Sequence, residues 1–324
     1  MVGSHLADYI LENTDWNILG FARWNEDFNN IRHLFDKINS KNRISLVYGD
    51  LNDYASVSSA IVDSKPDYVF HLAAQSYPKT SFSSPLDTLQ TNIIGTANLL
   101  ESIRHSGCDP VIHVCSSSEV FGRVSRENLP IKEDCIFHPA SPYAISKAGT
   151  DLLGRFYAEA YGLKTMTTRM FTHTGPRRGD VFAESTFAKQ IAMIEAGLQD
   201  PIIKVGNLDS LRTWADVRDA VRAYYMLVTI NPLPGEYYNI GGEFSCSVRD
   251  MLNYLIELSA VKNISIEVDE SRLRPIDADL QVPCTDKFKN HTGWKPEIKF
   301  EKTMSDLLDY WRERVSKEEG FLLR

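Results

Sequence analysis

Two short runs carry most of the chemistry open to this chain. The first is Tyr143-Ala144-Ile145-Ser146-Lys147. On a helix, residues four apart share a face, so the Lys147 ammonium would stand beside the Tyr143 phenol. A nearby positive charge favours the phenolate and lowers the phenol's pKa. A tyrosine titrating near ~10 is otherwise a poor base at neutral pH. The second run is Ser116-Ser117-Ser118-Glu119, a hydroxyl cluster ending in a carboxylate. Taken singly, Tyr-x-x-x-Lys recurs by chance in helices and a serine-rich segment is commonly a turn. Placed after one strand and at the start of one helix, the two runs together are a more specific signal than either alone.

These residues must be positioned by a strand and a helix. Val111-Ile112-His113-Val114 reads as an apolar strand, and Ser117 and Glu119 follow its carboxyl end. In open α/β sheets that end opens into the ligand-binding crevice. Ser141-Pro142 opens a helix that runs through Tyr157 to Tyr161. Around them, apolar periodicity predicts a helix over 1–11 and strands over 16–22, 44–48 and 68–72. Further helices are predicted over 55–64, 86–106, 185–197, 216–228, 248–258 and 304–318, and further strands over 164–171 and 237–240.

Composition narrows the classes. The chain has 324 residues, 43% hydrophobic and 24% charged, which suits a globular protein with a sizeable core. The formal net charge is −8 with no long basic run, so nucleic acid is not an expected partner. An anionic ligand would need a local basic pocket. No apolar run reaches the ~20 residues of a membrane span, so no membrane partner is expected. The five cysteines lack metal-ligand spacing and fit reduced thiols in a cytoplasmic protein, and no metal is expected.

The strand, the Ser-Ser-Glu run and the Ser-Pro-Tyr-x-x-x-Lys run together resemble the extended short-chain dehydrogenase/reductase superfamily. Within it, the chain is similar to GDP-mannose 4,6-dehydratases and related GDP-sugar dehydratases and reductases. The likeness runs from about residue 3 to about residue 315 and includes five further segments. Thr91 to Thr96 resembles Thr-Asn-x-x-Gly-Thr. Thr172-His173-Thr174-Gly175-Pro176-Arg177-Arg178-Gly179 resembles Asn-His-x-x-Pro-Arg-Arg-Gly. Gly206-Asn207-Leu208-Asp209-Ser210-Leu211-Arg212-Thr213-Trp214 resembles Gly-Asn-Leu-Asp-x-x-Arg-x-Trp, and Arg274-Pro275-Ile276-Asp277 resembles Arg-Pro-x-Glu. Gly293-Trp294-Lys295-Pro296 closes the pattern. Three departures stand out: Thr172 replaces an asparagine that meets the sugar, Ser117 replaces a threonine of many dehydratases, and Ser118 replaces an aspartate of some relatives.

The resemblance implies a doubly wound parallel sheet of the Rossmann type with a smaller, discontinuous substrate lobe. Residues 1–171, with 213–243 returning to them, would bind the dinucleotide, and 172–212 and 244–324 the nucleotide sugar. Gly3 would be the last glycine of the cofactor turn. The first strand and the first two glycines have no counterpart here, and roughly ten to twenty further N-terminal residues are expected in the biological chain; a degenerate, cofactor-free relative is the alternative.

The implied cofactor is NADP, with Arg23 near the 2′-phosphate, or else a surface cation, and Arg32 a possible helper. Asp50 and Leu51 would lie by the adenine. Leu72, Ala73, Ala74, Gln75, Tyr143, Lys147, His173 and Arg178 complete the cofactor set. Ser76, Ser118, Thr172, Lys189, Arg212, Arg274 and Asp277 would meet a GDP-sugar, GDP-mannose first and a GDP-heptose second.

The implied reaction is dehydration to a 4-keto-6-deoxy sugar. Tyr143 takes the 4-OH proton, Ser117 orients the oxygen, hydride leaves C4 for NADP, and Glu119 removes the C5 proton and protonates the departing 6-OH. Hydride then returns to C6. The rivals are a GDP-4-keto-6-deoxyhexose reductase, a UDP-sugar epimerase and a non-catalytic nucleotide-sugar-binding protein. A homodimer or homotetramer is the implied assembly.

Overall fold

A computed structural model describes residues 1–276 and 278–317. Its strands in chain order are β1 Ile18–Ala22, β2 Ile44–Tyr48, β3 Tyr68–His71, β4 Val111–Cys115, β5 Lys164–Met170, β6 His173–Thr174, β7 Ile202–Val205, β8 Leu211–Asp216, β9 Tyr237–Ile240, β10 Phe244–Ser247, β11 Ser265–Val268 and β12 Leu280–Gln281. Its α-helices are α1 Val2–Asn13, α2 Phe35–Asn39, α3 Tyr54–Ser64, α4 Pro78–Ser83, α5 Pro85–Leu89, α6 Gly95–Ser106, α7 Pro142–Tyr161, α8 Ala183–Glu195, α9 Val217–Thr229, α10 Val248–Glu257, α11 Asp286–Thr292 and α12 Phe300–Lys317.

The chain winds around a parallel sheet. Strands β3, β4, β5 and β9 lie side by side in that order, all parallel, and β1 pairs with β2 in the same sense. The two groups do not exchange ladder hydrogen bonds, yet they are neighbours. Trp16, just before β1, stacks on Tyr68 of β3 with ring centroids 4.3 Å apart. Ile18, Phe70 and Leu72 share an apolar cluster with Leu6 and Ile10 of α1.

Helices cover both faces. On one, Leu99, Leu100 and Ile103 of α6 and Tyr157 of α7 pack on Ile112 and Val114 of β4, together with Val57 and Ile61 of α3. On the other, Ala220, Ala223, Tyr224 and Leu227 of α9 pack on Met166 and Met170 of β5 and Ile240 of β9. Alternate faces of β4 and β5 are therefore buried on opposite sides, as a doubly wound sheet requires. Helix α7 lies close on the sheet at Gly154, where a Cβ would fall 2.7 Å from Thr167 Oγ1 and 3.3 Å from Val114.

A second core lies beyond the sheet. Phe187 and Ile191 of α8, Ile203 and Val205 of β7, Met251 and Leu255 of α10, and Met304, Leu308 and Trp311 of α12 close around Trp214 of β8. Strand β8 pairs with β10 antiparallel and with β12 and β6 in parallel. Both β9 and α9 then return to the large sheet.

One expected element differs. The helix predicted over 86–106 is broken by a π-helical turn at Gln90–Ile94, flanked by α5 and α6. Such turns insert one residue and re-aim side chains, often at functional sites. Here the turn carries Asn92, which is 2% exposed. Among the described residues all five cysteines are free, no helix is long and apolar enough to cross a membrane, and no group of three or more His, Cys, Asp or Glu could hold a metal ion.

Candidate active site

The site is assembled where β4 ends and α7 begins. Ser141 caps α7 by accepting a hydrogen bond from the Ala144 N–H at 3.0 Å, and Pro142 occupies the first helical turn. Serine satisfies an orphan N–H there and proline's fixed φ suits the first turn. Tyr143 and Lys147 consequently fall on one face of the first two turns, and both are buried. After β4, Ser117 caps a short 3-10 turn, Ser118–Phe121, by accepting from the Glu119 N–H at 3.2 Å. This turn carries Glu119, which is half-buried. It closes at Gly122, whose φ of +54° and lack of a Cβ are both needed, since a Cβ would lie 1.7 Å from the His138 carbonyl oxygen.

The electrostatics show which groups meet. Burial pushes the Tyr143 pKa well above the usual phenol value. A hydrogen bond from the Ser117 side chain and the charge of Arg178 oppose that rise, while Cys115 and Glu119 add to it. Ser117 thus hydrogen-bonds the Tyr143 side chain, and Glu119 and Arg178 lie near enough for their charges to act on it.

The expectation that Lys147 lowers the Tyr143 pKa is corrected by this arrangement. The Lys147 ammonium donates to the Cys115 carbonyl oxygen at 2.7 Å, and the Lys147 carbonyl accepts from Ser116 Oγ at 3.2 Å. Lysine is committed to the strand end, burial lowers its own pKa, and desolvation of the phenol wins.

The other cofactor candidates line the carboxyl ends of the strands. Leu72 packs in the sheet core and Ala73 is exposed just beyond β3. Gln75 is pinned by Asn92: Asn92 Oδ1 accepts from the Gln75 N–H at 2.8 Å, and Asn92 Nδ2 donates to the Gln75 carbonyl at 2.9 Å and to Ser146 Oγ at 2.8 Å. One buried asparagine thus ties the β3 loop to α7. Asp50 follows β2 and accepts from the Asn52 N–H at 2.9 Å, while the Leu51 carbonyl accepts from Asn98 Nδ2 at 2.8 Å. Gly3 lies in the first turn of α1, with no atom within 4 Å of the position a Cβ would take. Arg23 is exposed and paired with Glu26.

His173 hydrogen-bonds the Phe171 carbonyl through Nδ1 at 3.2 Å, and burial with Arg178 nearby drives its pKa down to about 4. Arg178 lies 3.4 Å from the centre of the Phe182 ring and donates to Glu184 at 3.1 Å.

Sequence reasoning missed three residues here. Arg177, at φ +68°, reaches back to α1, donating to Asp8 at 2.7 Å and meeting His5 Nδ1 at 2.8 Å. Its Nη1 is buried without a hydrogen-bond partner. Glu184 holds Arg178, and Asn92 holds Gln75 and Ser146. Arg177 and Asn92 each had a signal, the paired arginines and the Thr-Asn-x-x-Gly-Thr run, and Glu184 had none.

This donor set fits a dinucleotide. The first turn of α1 has no side-chain cap and no acidic residue, open space lies above Gly3, and the orphan Arg177 Nη1 is a donor that a pyrophosphate oxygen would satisfy.

The candidate sugar-nucleotide residues are more dispersed. Ser118 is buried at the turn and Ser76 is exposed beyond β3. The Thr172 carbonyl accepts from the Ala215 N–H at 3.0 Å. Lys189 donates to Asp180 at 2.8 Å and lies 5.6 Å from the Trp311 ring, so its ammonium is already engaged within the lobe. Arg212 sits on β8 in register with Gln281, and Arg274 is half-buried in the loop before β12. Asp277 lies outside the described residues.

A doubly wound sheet, a Tyr-x-x-x-Lys pair on the helix after β4 and a second lobe define an extended short-chain dehydrogenase/reductase. Comparison with known proteins sharpens this. The sequence profile of the family described as GDP-mannose 4,6 dehydratase matches residues 1–307, and the chain belongs to that family. It is 34% identical over 253 residues to a GDP-6-deoxy-D-mannose reductase of Pseudomonas aeruginosa, covering 78% of this chain and 83% of that one. It is 30% identical over 337 aligned residues to a GDP-mannose 4,6-dehydratase of Yersinia enterocolitica, covering 94% of this chain and 90% of that one. Among solved structures, RMD from Pseudomonas aeruginosa complexed with NADPH superposes with a TM-score of 0.79 at 30% identity, covering 92% of this chain and 99% of that one.

Proposed function

We propose that this chain is an NADP-dependent nucleotide-sugar 4,6-dehydratase that converts GDP-mannose, or a GDP-heptose, to the 4-keto-6-deoxy sugar. The observation that carries this reading is that Ser117 hydrogen-bonds Tyr143 while the Glu119 carboxylate is near enough for its charge to act on the same phenol. Oxidation at C4 needs only the phenol, the hydroxyl and the lysine. A carboxylate near that phenol adds the means to eliminate water across C5 and C6.

In this reading Tyr143 takes the proton of the sugar 4-OH while Ser117 hydrogen-bonds the same oxygen. Lys147 holds the end of β4 through the Cys115 carbonyl. The 4-keto group acidifies the C5 proton, Glu119 removes it, and the protonated Glu119 delivers a proton to the departing 6-OH. The nicotinamide, when bound, supplies the hydride chemistry, accepting at C4 and returning to C6, with no net redox change. The first turn of α1, Arg177, Arg178 and the segment Ala73–Gln75 would hold it. Arg212 and Arg274 would grip the diphosphate, as the planar guanidinium suits phosphate oxygens. Residues 1–171 with 213–243 form the cofactor half, and 172–212 with 244–324 the sugar-nucleotide half.

Incubation with GDP-mannose and catalytic NADP, followed by mass spectrometry of the nucleotide sugar, tests this. Loss of one water without stoichiometric cofactor use is the expected result. A GDP-4-keto-6-deoxyhexose reductase is the second reading, favoured by the likeness to the Pseudomonas reductase at 34% identity. It predicts no water loss, and NADPH consumed one for one with a 4-keto-6-deoxy substrate.

A cytoplasmic homodimer or homotetramer is part of the proposal. An exposed apolar face supports self-association: Ile145, Leu152 and Phe156 of α7 are each about half exposed, and Leu86 of α5 is 78% exposed.

A further inference from the structure

Strand β12 carries a buried amide that the fold leaves unsatisfied. Gln281 is 1% exposed, and among the described residues neither its Nε2 nor its Oε1 has a hydrogen-bond partner. The strand is pinned on both sides of it. Before Gln281, the Leu211 N–H donates to the Asp279 carbonyl at 2.8 Å; after it, the Ile131 N–H donates to the Val282 carbonyl at 2.8 Å. Elsewhere in the same lobe a buried amide is paired at both ends: Gln190 Oε1 accepts from the Lys204 N–H at 2.8 Å, and Gln190 Nε2 donates to the Lys204 carbonyl at 3.1 Å. A buried polar group without a partner destabilises a fold, so Gln281 calls for a reason.

Its place in the ladder points to one. Gln281 stands in register with Arg212 of β8, so the two side chains leave the same face of the sheet. On the opposite face the hydroxyls of Thr213 and Ser245 satisfy each other at 2.6 Å. A guanidinium only donates, which suits a phosphate, whereas an amide both donates and accepts. A phosphate oxygen would satisfy Nε2 and leave Oε1 unpaired. Sugar hydroxyls answer both ends, and they flank the diphosphate of a nucleotide sugar on either side.

We infer that Gln281 is a substrate-contacting residue of the sugar-nucleotide half, its amide taking a pair of sugar hydroxyls next to the diphosphate on Arg212. The inference rests on the reading of Arg212 given above and deepens it. Since the amide is buried, seating the ligand must displace the side chains that cover it.

The test uses the whole chain with Gln281→Leu and Gln281→Met, which keep most of the bulk and remove both polar atoms. Urea unfolding and calorimetric titration with GDP and with GDP-mannose are the readouts. Both variants should unfold at a higher urea midpoint than the unmodified protein, and GDP-mannose should bind about tenfold more weakly. An equal loss for GDP assigns the hydroxyls to the ribose; a loss confined to GDP-mannose assigns them to the hexose. A higher midpoint with GDP-mannose affinity within about twofold would reduce Gln281 to a packing defect and overturn the inference. A lower midpoint in both variants would show that the amide holds the fold together, and would overturn it as well. An unmodified protein that binds neither GDP nor GDP-mannose would instead overturn the reading of Arg212, and the inference with it.

Discussion

The Lys147 ammonium and the Cys115 carbonyl oxygen lie 2.7 Å apart, so the lysine of the Tyr-x-x-x-Lys pair anchors the catalytic helix to the end of β4. The contact fixes the register between the helix that carries Tyr143 and the turn that carries Ser117 and Glu119. Burial of the phenol raises its pKa, and the Ser117 hydrogen bond and Arg178 are the forces working the other way. The ionisation of Tyr143 is therefore set by several groups, which the proposed proton transfer would have to draw on.

Replacing Tyr143 by Phe removes the hydroxyl and keeps the ring that fills the buried site. Turnover should fall by at least about a hundredfold, the low end of what a positioned acid–base group contributes. Binding of the GDP-sugar, measured by calorimetry, should change little. Turnover within a factor of two of the unmodified protein would remove Tyr143 from the proton-transfer role.

Glu119→Gln separates the two halves of the proposed reaction. The amide keeps the shape of the side chain but cannot take the C5 proton. Water loss should drop by about a hundredfold or more, while slow oxidation at C4 persists as a transient rise in reduced nicotinamide absorbance. Deuterium from solvent should no longer enter C5. Undiminished dehydration would assign elimination to another group.

The placement of the candidate site at the end of β4 and the start of α7 was largely legible in the sequence because it rests on local signals. Ser141-Pro142 announces a capped helix start, and a four-residue spacing does the rest. The strand ahead of Ser117 is a plain apolar run. What the sequence hid are contacts made across the fold. Asn92 reaches Gln75 and Ser146 only because a π-helical turn re-aims it, and no periodicity marks that turn. Lys147 meets a backbone carbonyl, which has no residue signature. Glu184 binds Arg178 from the next helix, and Lys189, expected to face a phosphate or solvent, is held by Asp180 instead. Glu26 was visible three residues after Arg23, but only the turn geometry shows them bonded.

The most buried ion pair among the described residues should be costly to break. Arg169 of β5 donates to Asp151 of α7 through Nε at 2.8 Å and Nη2 at 3.0 Å, with both side chains essentially inaccessible. Arg169 Nη1 also donates to the Glu133 carbonyl at 2.7 Å, and the guanidinium lies 4.4 Å from the Tyr237 ring centre. Removing one partner leaves the other charge buried and uncompensated. Asp151→Ala should destabilise the protein by about 3–5 kcal/mol in urea unfolding, whereas exposed pairs such as Lys317–Glu313 should matter far less. A loss below about 1 kcal/mol would mean that water or a neighbouring group takes over from Asp151.

Two histidines beneath the site should make the fold acid-sensitive. His71 of β3 hydrogen-bonds Thr96 at 2.9 Å, and His113 of β4 hydrogen-bonds Thr168 at 2.7 Å. Burial first pushes each pKa down to about 3 from an ordinary 6.5; the Lys147 charge adds to this at His71, and His71 and then Lys147 add to it at His113. Both are neutral in the folded protein and become protonated on unfolding below pH 6.5. The unfolded state then binds more protons, so stability is fully present above about pH 6.5 and falls as pH drops towards 3. Each histidine should contribute a slope of up to about 1.4 kcal/mol per pH unit within that window. Urea unfolding at a series of pH values from 7 to 4 measures the slope. His113→Phe, which keeps an aromatic ring beside Tyr224 and cannot be protonated, should flatten it by about one proton's worth, and an unchanged slope would place the acid sensitivity elsewhere.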